Sequence, residues 1–175
     1  MQSEINSEKL KELANDTVTH KKLVLDSCLL MAEHFLSNGE TQLAIDILKR
    51  GATHDNSKFN ADEFKSLAQI LNSTKCFTDA DAQLSDAEKK AIQVHWKKNR
   101  HHPEYFDDFS EMTDLDMIEM VCDWFARSLQ YGTKFLPFVR QRQKNRFHFD
   151  EEQFKKIINW CKLIEKLYKD KNETE

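Results

Sequence analysis

Apolar residues recur every three to four positions along most of the chain, the rhythm of amphipathic helices. Ser7 can cap a first helix whose apolar positions include Leu10, Leu13, Val18, Val24, Cys28, Met31 and Phe35, stopping at Asn38-Gly39. A second passes through Leu43, Ile47 and Leu48 and ends near Gly51. After THDNSKF, a third rests on Phe64, Leu67, Ile70 and Leu71, and a polar loop follows over 72–85. Ser85 or Asp86 opens a fourth through Ile92 and Trp96. It should end before Pro103, because the residue preceding proline avoids the helical region. Thr113 with Asp114 and Asp116 reads as the start of a fifth, running to Tyr131-Gly132. Asp150-Glu151-Glu152 begins the last, through Phe154, Ile157, Ile158, Cys161, Ile164 and Leu167. No segment alternates convincingly as a strand. The pattern predicts an all-α, single-domain bundle of about six helices, with its core over about 7–168 and a charged tail, 169–175, that frays.

Composition sharpens this picture by exclusion. With 3 Gly and 2 Pro in 175 residues, the chain lacks the turn residues that hairpins, sandwiches and phosphate-binding loops need. Neither GxGxxG nor GxxxxGK[ST] can be written with Gly39, Gly51 and Gly132. The net charge of −4 supplies no field to gather nucleic acid, which is therefore not the expected partner. No apolar run approaches the roughly 18 residues of a membrane span, and the polar start MQSEINSEKL does not read as a signal peptide. Cys28, Cys76, Cys122 and Cys161 form no CxxC pair, and three of them sit in apolar helical stretches; they read as reduced, mostly buried thiols of a cytoplasmic protein. One segment breaks the charge balance. Between Thr133 and Phe149 lie Lys134, Arg140, Arg142, Lys144 and Arg146 with no acidic residue, interleaved with four phenylalanines. It reads either as a connection whose aromatics close the core or as a rim that attracts an anionic substrate.

The candidate chemistry lies in the histidines. His54 is followed directly by Asp55, His95 stands near the pair His101-His102, and His20 lies on the first helix. Imidazole with carboxylate is the ligand set favoured by Mn, Fe, Co, Ni or Zn, provided that several such groups converge from different elements. Asp16 is four residues before His20 and shares its helical face, where it could orient or supplement that imidazole. Asp123 interrupts the run Met117 to Phe125, and a carboxylate among such neighbours is costly unless it is paired or binds a metal. Asp116 lies on nearly the same face but is explained more cheaply by the helix dipole, so Asp123 ranks above it as a ligand. Glu119 could support the site from behind or at its rim. His34 and His148 read as structural or surface residues. There is no HExxH, CxxC or ferritin-like ExxH pair.

The order His20, His54-Asp55, His95, His101-His102, Asp123 resembles the HD-domain superfamily of metal-dependent phosphohydrolases. Such domains are helical bundles with metal ligands projecting into a central cleft. HDNSK looks like the HDxxK form of the HD-GYP branch, which would place Lys58 one turn after the metal-binding pair. The interval from His95 to His101 is short for that branch and HHPEYF replaces its GYP signature, so its cyclic-dinucleotide specificity does not transfer. More closely still, HDNSKF, HWKKNRHHPEYF and DLDMIEMVCDW resemble a phage and bacterial family that carries no established activity.

The superfamily resemblance implies one or two divalent transition-metal ions. His20, His54, Asp55 and Asp123 would hold the first, and Asp55 would bridge towards a second held by His95, His101 and His102. The implied activity is hydrolysis of a nucleotide or another small phosphate ester. Lys58 would neutralise phosphoryl charge, Arg140, Arg142 and Arg146 would grip a second phosphate, and Tyr105 or Trp96 would stack on a base. Two other readings stay open: an HD-like di-iron oxygenase, and a catalytically silent protein that binds a nucleotide or a partner. Exposed aromatics would serve a homodimer face and the core equally well.

Overall fold

In the computed structural model, which describes residues 7–61, 63, 64, 67 and 86–174, the chain is all-helical, with no strand among the described residues. Among the described residues six α-helices have both ends: α1 (Ser7–Ser37), α2 (Thr41–Thr53), α3 (Asp86–Trp96), α4 (Asp114–Tyr131), α5 (Phe135–Arg142) and α6 (Glu151–Thr174), while Ile70 and Leu71 of the predicted third helix lie outside the described residues. Short 3-10 turns at Asn56–Phe59, Pro103–Tyr105 and Phe109–Glu111 connect them, and a π-helical turn at Gln143–Phe147 follows α5. Cys76 and the predicted loop over 72–85 lie outside the described residues.

Helix α4 is the centre of the bundle. Every residue from Asp116 to Ala126 is buried, so this helix is enclosed on all sides rather than along one stripe. Its ends are well specified. The Thr113 hydroxyl accepts from the Asp116 N–H while the Asp116 carboxylate accepts from the Thr113 N–H, a reciprocal capping box. Gly132, with φ 64°, supplies the left-handed residue at the other end. Around α4 pack α1, α2, α5 and α6, through Val24, Met31, Phe35, Ile47, Phe135, Val139, Ile157 and Ile164. Three of the buried residues of α4 are carboxylates, at 116, 119 and 123, a spacing that aligns them on one face.

Helices α1 and α2 approach closely at Gly51, where an added Cβ would lie 2.8 Å from the Cys28 Cβ. This contact brings the end of α2, and so His54, against α1. Cys28, Cys122 and Cys161 are buried free thiols, as their apolar settings predict.

Four expectations are corrected. Leu10 and Val18 are exposed, Val18 at 57%, because the buried stripe of α1 runs through Leu13, Thr17, His20, Val24, Cys28, Met31 and Phe35, and two polar residues occupy slots on it. The aromatics of the basic segment do close the core, at Phe135, Phe147 and Phe149, but the segment is no mere connection: α5 occupies 135–142, with Pro137 in the first turn, where backbone N–H groups have no intrahelical partner to lose. The tail does not fray at Lys169. Helix α6 continues to Thr174, and Lys169 pairs with Glu173 at 3.5 Å. Ser7 is the first residue of α1 rather than a cap before it.

Candidate metal centre

His54 closes α2, and Asp55 directly after it adopts a left-handed backbone with φ 54°. For a residue other than glycine this costs about 1 kcal/mol or more, and such strain gathers at functional positions. Lys21 on α1 ties the turn down: its ammonium donates to the His54 carbonyl oxygen and, at 2.5 Å, to Asn56 Oδ1. The Asp55 carboxylate thereby sits among side chains from several elements. His20 comes from α1, His95 from α3, His101 and His102 from the segment after α3, and Glu119 and Asp123 from α4.

Three groups of donor atoms result: His54, His101 and Glu119 make up one, and two more lie about Asp55. His20, His54 and Asp123 form one; Asp55, His95, His101 and His102 form the other. His20 Nε2 lies 2.8 Å from Asp123 Oδ1, and His54 Nε2 lies 3.8 Å from that oxygen and 3.5 Å from Asp55 Oδ2. In the second set, Asp55 Oδ1 is 3.3 Å from His95 Nε2 and 3.5 Å from His101 Nε2, and His95 Nε2 faces His102 Nε2 at 3.0 Å. Asp55 thus presents one oxygen to each set. Every histidine and carboxylate here is buried except His102, which is partly exposed.

The imidazole tautomers follow from the partners on the far ring nitrogen. His54 Nδ1 and His101 Nδ1 lie 3.0 and 3.3 Å from the same oxygen, Glu119 Oε1, and His95 Nδ1 lies 2.6 Å from Glu63 Oε1. A carboxylate only accepts, so in each ring, when neutral, Nδ1 carries the proton and Nε2 keeps its lone pair. Lone pairs therefore point into a shared space. Nε2 of His54 and His101, and Oδ1 of Asp55, are buried and form no hydrogen bond, while His20 Nε2 meets Asp123. Buried polar atoms without partners are costly, and the groups converging here could hold a metal ion. The spacing fits a cation: two ligand atoms each about 2.1 Å from one ion, at tetrahedral to octahedral angles, lie about 3.0–3.4 Å apart.

Electrostatics favour the neutral ring at His20, His95 and His102 but not at His101. Burial lowers His20 to about 3 and moves His95 and His102 down as well, so these rings are neutral at neutral pH, the form that can bind a metal ion. Burial also pulls His101 down, but its hydrogen bond to Glu119 and the Asp55 charge outweigh that and hold it above the ordinary value. Burial works against ionised carboxylates, yet the surrounding groups prevail: Asp55 and Asp123 stay well below the usual carboxylate range and Glu119 falls to about 2. Lys58 is buried beside them, 2.6 Å from Asp55 Oδ2.

A cavity of about 160 Å³ opens against this cluster. Asp55, Lys58, His95, His102 and Asp123 form one part of its lining; Trp96, Trp124, Phe138 and Phe147 contribute apolar wall, and Arg127, Arg142 and Arg146 contribute guanidinium groups. Arg142 lies over the Phe138 ring at 5.0 Å and Arg146 over Trp96 at 4.5 Å, with Arg146 also ion-paired to Glu104. Arg127 is fixed by Gln130 and Tyr131 at 3.3 Å and by Asp16 at 3.7 Å.

Sequence reasoning placed His20, His54, Asp55, Lys58, His95, His101, His102 and Asp123, and all eight come together. Of the two aspartates it ranked, Asp123 faces the cluster, whereas Asp116 is engaged by Thr113, Arg50 and Arg100. Glu119, expected behind the site or at its rim, meets the Nδ1 atoms of His54 and His101. Asp16 turns to Gln130, Tyr131 and Arg127 and lines the cavity rather than touching His20. Arg142, Arg146 and Trp96 line the cavity, whereas exposed Arg140 does not, and Tyr105 packs beneath Arg100 at 5.2 Å instead. His34 and His148 lie away from the cluster; His34 meets Asn38, and His148 is exposed. Glu63, Arg50, Arg100 and Arg127 were missed. Glu63 is buried beneath His95 with no signal in the surrounding sequence, while Arg127 lies one turn after Asp123 on the same face and could have been found by that spacing.

No helix among the described residues is long and apolar enough to cross a membrane. No curated protein and no solved structure matches the chain. Residues 9–168, however, match the model of a family of unknown function (DUF5662), and the chain belongs to that family.

Proposed function

We propose that the protein is a metal-dependent hydrolase of phosphate esters, with a nucleotide or another small phosphorylated molecule as substrate, built on the ligand order that resembles the HD-domain superfamily. The observation that supports it best is the convergence of unpartnered Nε2 and carboxylate atoms into two sets sharing Asp55, beside a cavity with cationic groups. His20, His54, Asp55 and Asp123 would hold one divalent ion, and Asp55, His95, His101 and His102 a second. Bound there, the ions would polarise a phosphoryl group and make hydroxide available near neutral pH.

The chain's own groups account for the rest. Glu119 and Glu63 keep the Nε2 lone pairs of His54, His101 and His95 aimed at the ligand positions. Lys58 carries a positive charge at the edge of the cluster; with Asp55 committed to ligation, its ammonium turns to a phosphoryl or leaving oxygen. Arg127, near enough for its charge to lower the His20 pKa, stands on the cavity side and would bind the same anion. Trp96, Trp124, Phe138 and Phe147 offer apolar surface for the organic part of the substrate.

The test is phosphate release from a panel of nucleotides and simple phosphoesters with Mn, Co, Ni or Fe supplied. Metal-dependent release that falls about 100-fold or more in Lys58→Ala, while metal content is retained, supports the reading. Failure with every ester, together with consumption of dioxygen by the iron-loaded protein, would replace it with the oxygenase reading. Ligand binding that survives His54→Ala would replace it with a silent binding protein.

A further inference from the structure

Behind the two ligand sets lies a second layer that joins them. We infer that Glu119 is a single positioning residue for both metal sites, held in place by a chain of charges through Arg50, Asp116 and Arg100, so that the two sites are formed or lost together. The inference rests on the two-ion part of the reading above and adds how those sites are built.

One oxygen of Glu119, Oε1, receives His54 Nδ1 at 3.0 Å and His101 Nδ1 at 3.3 Å. His54 belongs to the first set and His101 to the second. The two rings are neighbours, with centroids 4.2 Å apart, and this shared acceptor fixes both of them. Without it, each ring could flip to present the other nitrogen, and both sets would lose a defined donor in one step. The other oxygen of Glu119, Oε2, lies 3.1 Å from Arg50 Nη1. Arg50 reaches on through Nη2 to Asp116, which Arg100 grips with two bonds of 3.1 and 3.0 Å. Arg100 immediately precedes His101, and Arg50 lies four residues before His54. The chain of charges therefore anchors the backbone next to each imidazole as well as the carboxylate between them. Two carboxylates and two guanidinium groups alternate along it, so the buried charges are compensated.

Cobalt(II) titration of the purified protein, followed by calorimetry and visible absorption, tests this. His20→Ala and His95→Ala, each removing a ligand from one set, assign the two binding events. The expected result is that Glu119→Ala weakens both events, each by about 10–100-fold, the range for loss of a group behind a ligand. Glu119→Gln, which keeps an acceptor oxygen, should recover part of the loss at both. Arg50→Met should weaken both by a smaller factor, with helicity unchanged by circular dichroism. A general folding defect would lower the melting temperature without that graded, paired pattern. The inference is overturned if Glu119→Ala weakens one event and spares the other, or if Glu119→Gln is no better than alanine. A wild-type protein that binds no cobalt would instead overturn the metal reading itself.

Discussion

Asp116 and Asp123 sit seven residues apart on one face of α4, both buried, and they do opposite things. Asp116 is saturated: the Thr113 N–H and hydroxyl, Arg50 and Arg100 all engage it, in the first turn of a helix that favours negative charge. Asp123 faces only imidazoles, His20 at 2.8 Å and His54 at 3.8 Å, and His54 Nε2 makes no hydrogen bond. The first arrangement uses a carboxylate to close the end of a helix and to anchor its neighbours. The second leaves electron pairs waiting for a cation. The difference shows that burial of a charge does not by itself mark a site; what marks it is whether the surrounding groups donate protons or present lone pairs.

The contrast breaks most sharply under substitution. Asp123→Asn should weaken uptake of the ion in the His20 set by about 100-fold, at the upper end of what metal-centre substitutions cost, and leave folding nearly intact. Asp116→Asn should do the reverse for stability. It leaves Arg100 without a charged partner and Arg50 with Glu119 alone, and with both guanidinium groups partly exposed a loss of about 1–3 kcal/mol in urea unfolding is expected. Equal metal affinity in the two variants would erase the distinction drawn here.

Acidity sharpens it next. A proton competes with metal for His101, which sits above the ordinary imidazole value despite burial because Glu119 and Asp55 stabilise its charged form. Metal affinity should therefore fall as pH is lowered through that raised value, by about tenfold per pH unit for each proton displaced. His20, lowered to about 3, adds nothing to this dependence above pH 5. Competition dialysis between pH 5 and 8 measures the slope. The Asp116 region, whose carboxylate is held below its ordinary range by Arg100 and Thr113 against burial, should show no change over the same interval.

Much of this was legible in the sequence, for identifiable reasons. Thr113 and Gly132 announce the ends of α4 through capping chemistry that acts locally. Asp123 stood out because it breaks an apolar run. The eight clustered residues were visible as an order of residue types along the chain, although nothing in that order says that Asp55 turns left-handed. What stayed hidden depended on tertiary placement. Glu63 looks like any surface glutamate until His95 covers it. Helix α5 was concealed by Pro137 and by basic residues that blur its apolar rhythm, and so the cavity wall carrying Phe138 and Arg142 could not be drawn. Tyr105 was assigned to substrate by its type, whereas the fold uses it as a platform for Arg100.

A smaller test concerns the joint that carries His54 to the cluster. Gly51→Ala places a Cβ 2.8 Å from Cys28 Cβ and 3.0 Å from its sulfur, so α1 and α2 must separate, at a cost of about 1–3 kcal/mol. Thermal melting measures that loss. Smallest of all is Arg140→Ala, which should alter neither stability nor ligand binding, while Arg127→Ala weakens binding of a phosphate ester without reducing metal content. Should the two arginine variants behave alike, the cavity would not be where substrate binds.

The account depends above all on the unpartnered nitrogens being metal ligands. Its most direct test is the transition-metal content of the protein at equilibrium with Mn, Fe, Co, Ni or Zn, measured by elemental analysis beside the His54→Ala variant. Two ions per chain in the wild type, with the ion of the His20 set absent from the variant, is the expected result. A wild-type protein that takes up no ion, or a variant that takes up as much as the wild type, would contradict it.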